Sequence, residues 1–180
     1  TIIGLRSSGL HSNGISLARR ILFKKWGGKY DAFDIPDGFN REIVYEALEP
    51  TMIYVKQFLK VAKEFEIKAA VHITGDAYLK FDKLMKINSN IGFEFNNFKP
   101  QPIFKLIKDT AKELGGSITD EEFLKTFNAG WGFAIITKHE FADSVIQNFV
   151  KNGVEAEPIG KITNSKNIVA IYNGNKIVLK

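Results

Sequence analysis

Short apolar runs of strand character alternate with amphipathic helical stripes through most of this chain, and its last segment reads as strand alone. Alternation favours parallel strands with helices on their faces, whereas a terminal run of strands closed by a tight turn demands antiparallel pairing. Together they predict a mixed sheet covered by helices, an α+β fold of the α/β-sandwich kind. Strands are expected at Thr1–Leu5, Ala69–Thr74 (buried), Ile91–Phe95, Phe133–Ile136, Glu155–Ile162, Ile168–Tyr172 and Lys176–Leu179, the last two joined by an Asn173-Gly174 hairpin turn. Helices are expected from Ile15 to Trp26, from Arg41 to Leu48, and on a stripe of Val55, Phe58, Leu59, Ala62 and Phe65. Others run from Ala77 to about Met85, from Pro102 to Gly115, and up to Thr126 and Val150. Capping boxes at Thr119/Glu122 and Thr137/Glu140 open the last two.

At 180 residues and 44% apolar, the chain can bury one sizeable core, so residues 1–180 are read as a single domain. No apolar run is long enough to span a membrane as a helix, and no secretory signal pattern appears. The lack of cysteine excludes disulfides and thiolate metal sites and fits a reducing, cytoplasmic compartment. A net charge of +5 allows an anionic partner. The lysines are spread along the chain rather than clustered with aromatics, which argues against a nucleic-acid face. An opening on strand residues without an initiator Met reads as the start of a domain within a longer protein.

The chemistry concentrates in Ser7-Ser8-Gly9-Leu10-His11-Ser12-Asn13-Gly14, between the first strand and the first helix. The first N–H groups of a helix lack internal partners, the helix dipole is positive there, and glycine permits close backbone approach. Hydroxyls of Ser7, Ser8 and Ser12, the Asn13 amide and the His11 imidazole add side-chain donors, with Gly9 and Gly14 among them. Such a loop is expected to hold an anion, although the same residue types also build ordinary turns. His11 is the catalytic candidate, by donating to a phosphate or by moving a proton near neutral pH. Arg19, one turn into the helix, either reaches that phosphate or stays solvated. A second strand–glycine–helix passage, Thr74-Gly75-Asp76, is expected to face the same pocket, while Asn128 either bonds the ligand or caps its helix. His72 falls in an apolar strand, as a core histidine or a ligand, and His139 at the surface. The three histidines show no metal-ligand spacing, so no metal is expected on these residues alone.

Four segments carry a family resemblance. Ser7 to Arg19 is similar to the SSGxHSNGxSLxR segment of the aminoimidazole ribonucleotide synthetase (phosphoribosylformylglycinamidine cyclo-ligase) family. Glu49-Pro50-Thr51 with Ile53-Tyr54-Val55-Lys56 resembles its EPTxIYVK, His72-Ile73-Thr74-Gly75 its HITG, and Thr126 to Gly132 its TFNxGxG. All four belong to the family's C-terminal domain. The resemblance therefore implies the C-terminal half of a two-domain enzyme of de novo purine biosynthesis, with a partly ferredoxin-like sheet layered with helices. It implies that ATP and Mg²⁺ are bound mainly by an N-terminal domain, which also forms a homodimer, and that residues 1–180 alone are inactive. The implied reaction phosphorylates the amide oxygen of formylglycinamidine ribonucleotide, after which an internal nitrogen closes the imidazole ring.

One departure stands out. Where the family continues HITGGG with a Glu-Asn pair and an Arg, this chain has Asp76, Ala77, Lys80, Phe81 and Leu84, and Met52 stands where a basic residue is common. A carboxylate at Asp76 suits acceptance from the ribose or from amidine N–H groups better than close anion binding. A paralogue phosphorylating another small substrate, or a metabolite-binding module without catalysis, are the alternatives these changes leave.

Overall fold

Strand β1 (Ile2–Arg6), buried on both faces from Ile2 to Leu5, sets the layering of the computed structural model, which describes all residues from Thr1 to Lys180. Ile2 joins a core of 30 buried residues on one face of the sheet, while Ile3 and Leu5 join a core of 10 on the other. Gly4 faces the larger core so closely that a Cβ would sit 2.6 Å from Ile159 Cγ2.

Six further strands complete one sheet: β2 (Ile67–His72), β3 (Gly92–Phe95), β4 (Trp131–Thr137), β5 (Ala156–Thr163), β6 (Ile168–Tyr172) and β7 (Asn175–Val178). Their order is β2-β4-β1-β5-β3-β6-β7, and every pairing is antiparallel except β3 with β6. Following these directions across the sheet, β1, β2, β3 and β6 all run the same way. Their C-terminal ends therefore emerge at one edge, where α/β sheets characteristically present their ligand sites.

Helices cover both faces. α1 (Ile15–Leu22), α2 (Ile43–Ala47), α4 (Asp82–Ile87), α5 (Pro102–Glu113) and α6 (Asp120–Thr126) pack on the larger core, α3 (Val55–Glu64) and α7 (Ala142–Lys151) on the smaller. A mixed seven-stranded sheet with seven helices is the α+β class expected from the element order. No helix is long and apolar enough to cross a membrane.

Four local readings are corrected. Helix α1 ends at Leu22, because Phe23 is extended and Lys24–Trp26 forms a 3-10 turn closed by Gly27 at φ 96°. Strand β2 lies at the sheet edge rather than buried, with only Val71 of its residues in the core. In α3 the residue turned inward is Val61, so Val55, Leu59 and Ala62 of the anticipated stripe face outward. Thr137 caps no helix: β4 extends to include it, and its hydroxyl donates to the Glu66 carbonyl at 3.0 Å. The Thr119/Glu122 box forms as expected, and Asn173 and Gly174 both take positive φ in the β6–β7 turn.

Candidate functional site

The loop from Ser7 to Gly14 leaves β1 at the shared strand edge and is bracketed by one side chain. Asn128, fully buried between α6 and β4, donates from Nδ2 to the carbonyls of Gly9 (2.8 Å) and Leu10 (3.1 Å). Its Oδ1 accepts from the Gly130 N–H at 2.9 Å and the Ser7 hydroxyl at 3.1 Å. All of its bonding positions are spent on protein, so the structure gives Asn128 the work of holding the loop. Gln101 adds a second brace, donating from Nε2 to the Ser7 carbonyl at 2.5 Å.

His11 sits inside this loop at φ 55° and is 7% exposed. Two backbone N–H groups converge on its Nε2, from Ser8 at 3.1 Å and Met52 at 3.4 Å, which makes Nε2 the acceptor and places the ring proton on Nδ1. Burial, with a smaller contribution from nearby His72, lowers its pKa to about 4. At neutral pH the ring is therefore uncharged and tied to two chain segments. Gly132 lies beneath it: a Cβ there would be 2.7 Å from His11 Cε1 and 2.1 Å from the Tyr54 hydroxyl, which itself donates to the Arg6 carbonyl at 2.8 Å.

Outward from the bracket, the loop presents donors. Ser12 and Ser16 are exposed and Ser8 is half-buried, its hydroxyl shared between the Pro50 carbonyl (2.6 Å) and His11 (2.9 Å). No side chain caps α1, and its first turn holds no acid, so the positive end of the helix stays uncompensated. Both amide atoms of Asn13 and Nδ1 of His11 are buried without a partner. Gly14 caps the helix at φ 61°, where a Cβ would fall 2.4 Å from Phe127 Cε1. Gly14→Ala is expected to cost about 2 kcal/mol through left-handed strain and overpacking, read as a lowered urea midpoint. A cost below about 0.5 kcal/mol would show that the loop relaxes freely.

The second loop lies beside the first along the edge. Tyr78, fully buried, donates to the Asn128 carbonyl at 2.8 Å and so ties the two together. Thr74 accepts from Lys80, Gly75 is exposed with open space around its α-carbon, and Asp76 is exposed at φ 66°. Of the residues singled out in the sequence, the structure gathers Ser7, Ser8, Gly9, His11, Ser12, Asn13, Gly14 and Asn128 in one constellation, with Thr74, Gly75 and Asp76 on the neighbouring loop. Arg19 is not brought in: its guanidinium lies over the Trp26 ring at 5.1 Å. His72 is exposed beside Tyr54 and Phe133 rather than in the core.

A match between residues 1–173 and the family described as AIR synthase related protein, C-terminal domain, covers almost the whole chain. The chain belongs to this family. Among curated relatives of this AIR synthase related domain, phosphoribosylformylglycinamidine cyclo-ligase of Methanocaldococcus jannaschii is 40% identical, covering 99% of this chain and 48% of that protein. The enzyme of the same name from Methanopyrus kandleri is 34% identical with the same coverages. The chain thus spans about half the length of these relatives. Solved structures share the fold at low identity: E. coli HypE at a TM-score of 0.58 (16% identical, 99% of this chain and 49% of that one), and T. maritima PurL complexed with FGAR at 0.56 (10%, 98% and 26%).

Within this AIR synthase related domain, sequence reading overlooked Gln101, Tyr54, Tyr78 and Gly132. Tyr54 lay inside a motif already quoted. Gln101 stood between two prolines that signalled only a helix start, and nothing local marked Tyr78 as a brace.

Proposed function

We propose that this domain supplies the phosphate-holding wall of an ATP-dependent phosphoribosylformylglycinamidine cyclo-ligase. Family membership and the names of the curated relatives support the reaction class. The observation that carries the site assignment is Asn13, whose amide is fully buried with neither atom partnered, one residue before an uncapped helix N-terminus. An unpaired buried amide costs roughly 1–3 kcal/mol, a burden characteristic of functional positions.

In this reading a phosphate-bearing group of formylglycinamidine ribonucleotide sits against the loop from Ser7 to Gly14. Backbone N–H groups at the start of α1, with the exposed hydroxyl of Ser12, hold it, while Ser8 keeps its proton on the Pro50 carbonyl. His11, uncharged, keeps the loop in register with Met52, a positioning role rather than proton transfer. Thr74, Gly75 and Asp76 face the remainder of the substrate. Following the family resemblance, Mg²⁺, most contacts to ATP and homodimer formation are assigned to the family's N-terminal domain. ATP supplies the phosphoryl group that makes the amide oxygen a leaving group. This half contributes positioning and charge stabilisation.

Asn13→Leu in the full-length protein tests the reading, because leucine replaces the amide by an apolar group of similar shape. Formylglycinamidine ribonucleotide-dependent ADP release should fall one to two decades in kcat/KM, while the melting temperature stays level or rises. Unchanged kcat/KM would remove the anion site.

A further inference from the structure

We propose that the concave face carrying Ile53, Val55 and Leu59 is the seat of the family's N-terminal domain. The proposal rests on the reading above that this chain works with such a domain, and it names the surface that receives it.

Apolar exposure on the molecule is unevenly distributed. Eight of the thirteen most exposed large hydrophobic side chains fall between Trp26 and Leu59. Ile53, Val55 and Leu59 are 75%, 62% and 53% exposed and line one concavity of about 490 Å³ together with His72 and Phe133. Single exposed hydrophobics need no explanation, but a concave group of aliphatic and aromatic walls does.

Helix α3 sharpens the case. Its inward residue, Val61, already satisfies the sheet, yet a second apolar row of Val55, Leu59 and Ala62 faces outward. A helix apolar on two sides belongs between two bodies. The chain matches a C-terminal domain and spans about half of its curated relatives, so a body of comparable size remains to supply the second side. The rim shows what that body presents. Lys56 and Lys63 are exposed on α3 and enter no ion pair, which suits an acidic border around an apolar centre.

Position links the seat to the site. Met52, next to Ile53, donates its backbone N–H to His11. A domain seated on this face therefore abuts the segment that pins the phosphate loop, and can close over it.

The chain has no cysteine, which permits a direct test in the full-length protein. Ile53→Cys and Leu59→Cys are compared with Ile87→Cys and Val178→Cys, whose parent residues are 83% and 53% exposed. Each variant reacts with a bulky maleimide, and modification of its own peptide is followed by mass spectrometry. Positions 53 and 59 should react at least tenfold more slowly than 87 and 178, independently of protein concentration. Equal rates at all four positions would overturn the proposal. Protection that disappears on dilution would overturn it too, assigning the face to a second copy of the chain. Labelling reads contact and not turnover, so its outcome does not depend on whether the Asn13 variant loses activity.

Discussion

Replacing Asn128 by alanine is expected to lower the unfolding free energy by about 3–5 kcal/mol, a large part of what a single domain possesses. The amide makes four hydrogen bonds from a fully buried position, and its loss strands the Gly9 carbonyl and the Gly130 N–H and leaves the Leu10 carbonyl and the Ser7 hydroxyl with only their Asn13 and Gln101 partners. Aspartate at this position keeps the shape and the acceptor but turns a charged oxygen toward two carbonyls. The Asp variant should therefore be destabilised at pH 7 and partly recover toward pH 5, where a protonated carboxyl can donate one bond. Urea unfolding at both pH values checks this. An alanine variant within 1 kcal/mol of the parent would show that the bracket is dispensable.

Acid should weaken the fold through His11. Its folded pKa of about 4 lies below the ordinary value of 6.5, so between these values the unfolded chain binds more protons than the folded one. Stability is then fully present above pH 6.5 and declines as pH falls toward 4, by up to about 3 kcal/mol. Carboxylates held low by lysine partners, such as Glu66 and Asp82, add their own losses only at the acidic end. A His11→Gln variant removes the titration while retaining a polar side chain. Urea unfolding at intervals from pH 7.5 to 4.5 should give a slope in the parent that the variant lacks. Parallel curves for the two proteins would refute this assignment.

Much of the architecture was legible because local signals agreed with the fold. The short apolar run of Thr1 to Leu5, the Thr119/Glu122 box and the Asn173-Gly174 turn each depend on neighbours in sequence, and each appears where expected. The rotation of α3 was not legible, because two apolar rows compete on that helix and only tertiary packing chooses between them. Capping at Thr137 failed for a related reason: the strand reached one residue further and took the hydroxyl into the Glu66 contact. In the site, the polar loop was visible as a run of donors, but the roles within it were not. His11 looks like a proton carrier by type, and its burial against two backbone N–H groups makes it a pin. Gln101 and Tyr78 act across 94 and 50 residues of sequence, distances over which no local pattern speaks.

The sheet order carries a consequence for biosynthesis. Strand β1 precedes the rest of the sheet in the chain, yet its two neighbours, β4 and β5, begin only at Trp131 and Ala156. While the ribosome adds the intervening chain, the strand that will lie inside the sheet has neither edge satisfied, and the loop after it has no Asn128 to close on. Contacts of such long sequence separation are slow to form, and unpaired edges invite association in the meantime. Within this domain the Ser7–Gly14 loop is therefore among the first segments to be made and among the last to acquire its shape. Its competence becomes a signal that nearly the whole domain has been completed.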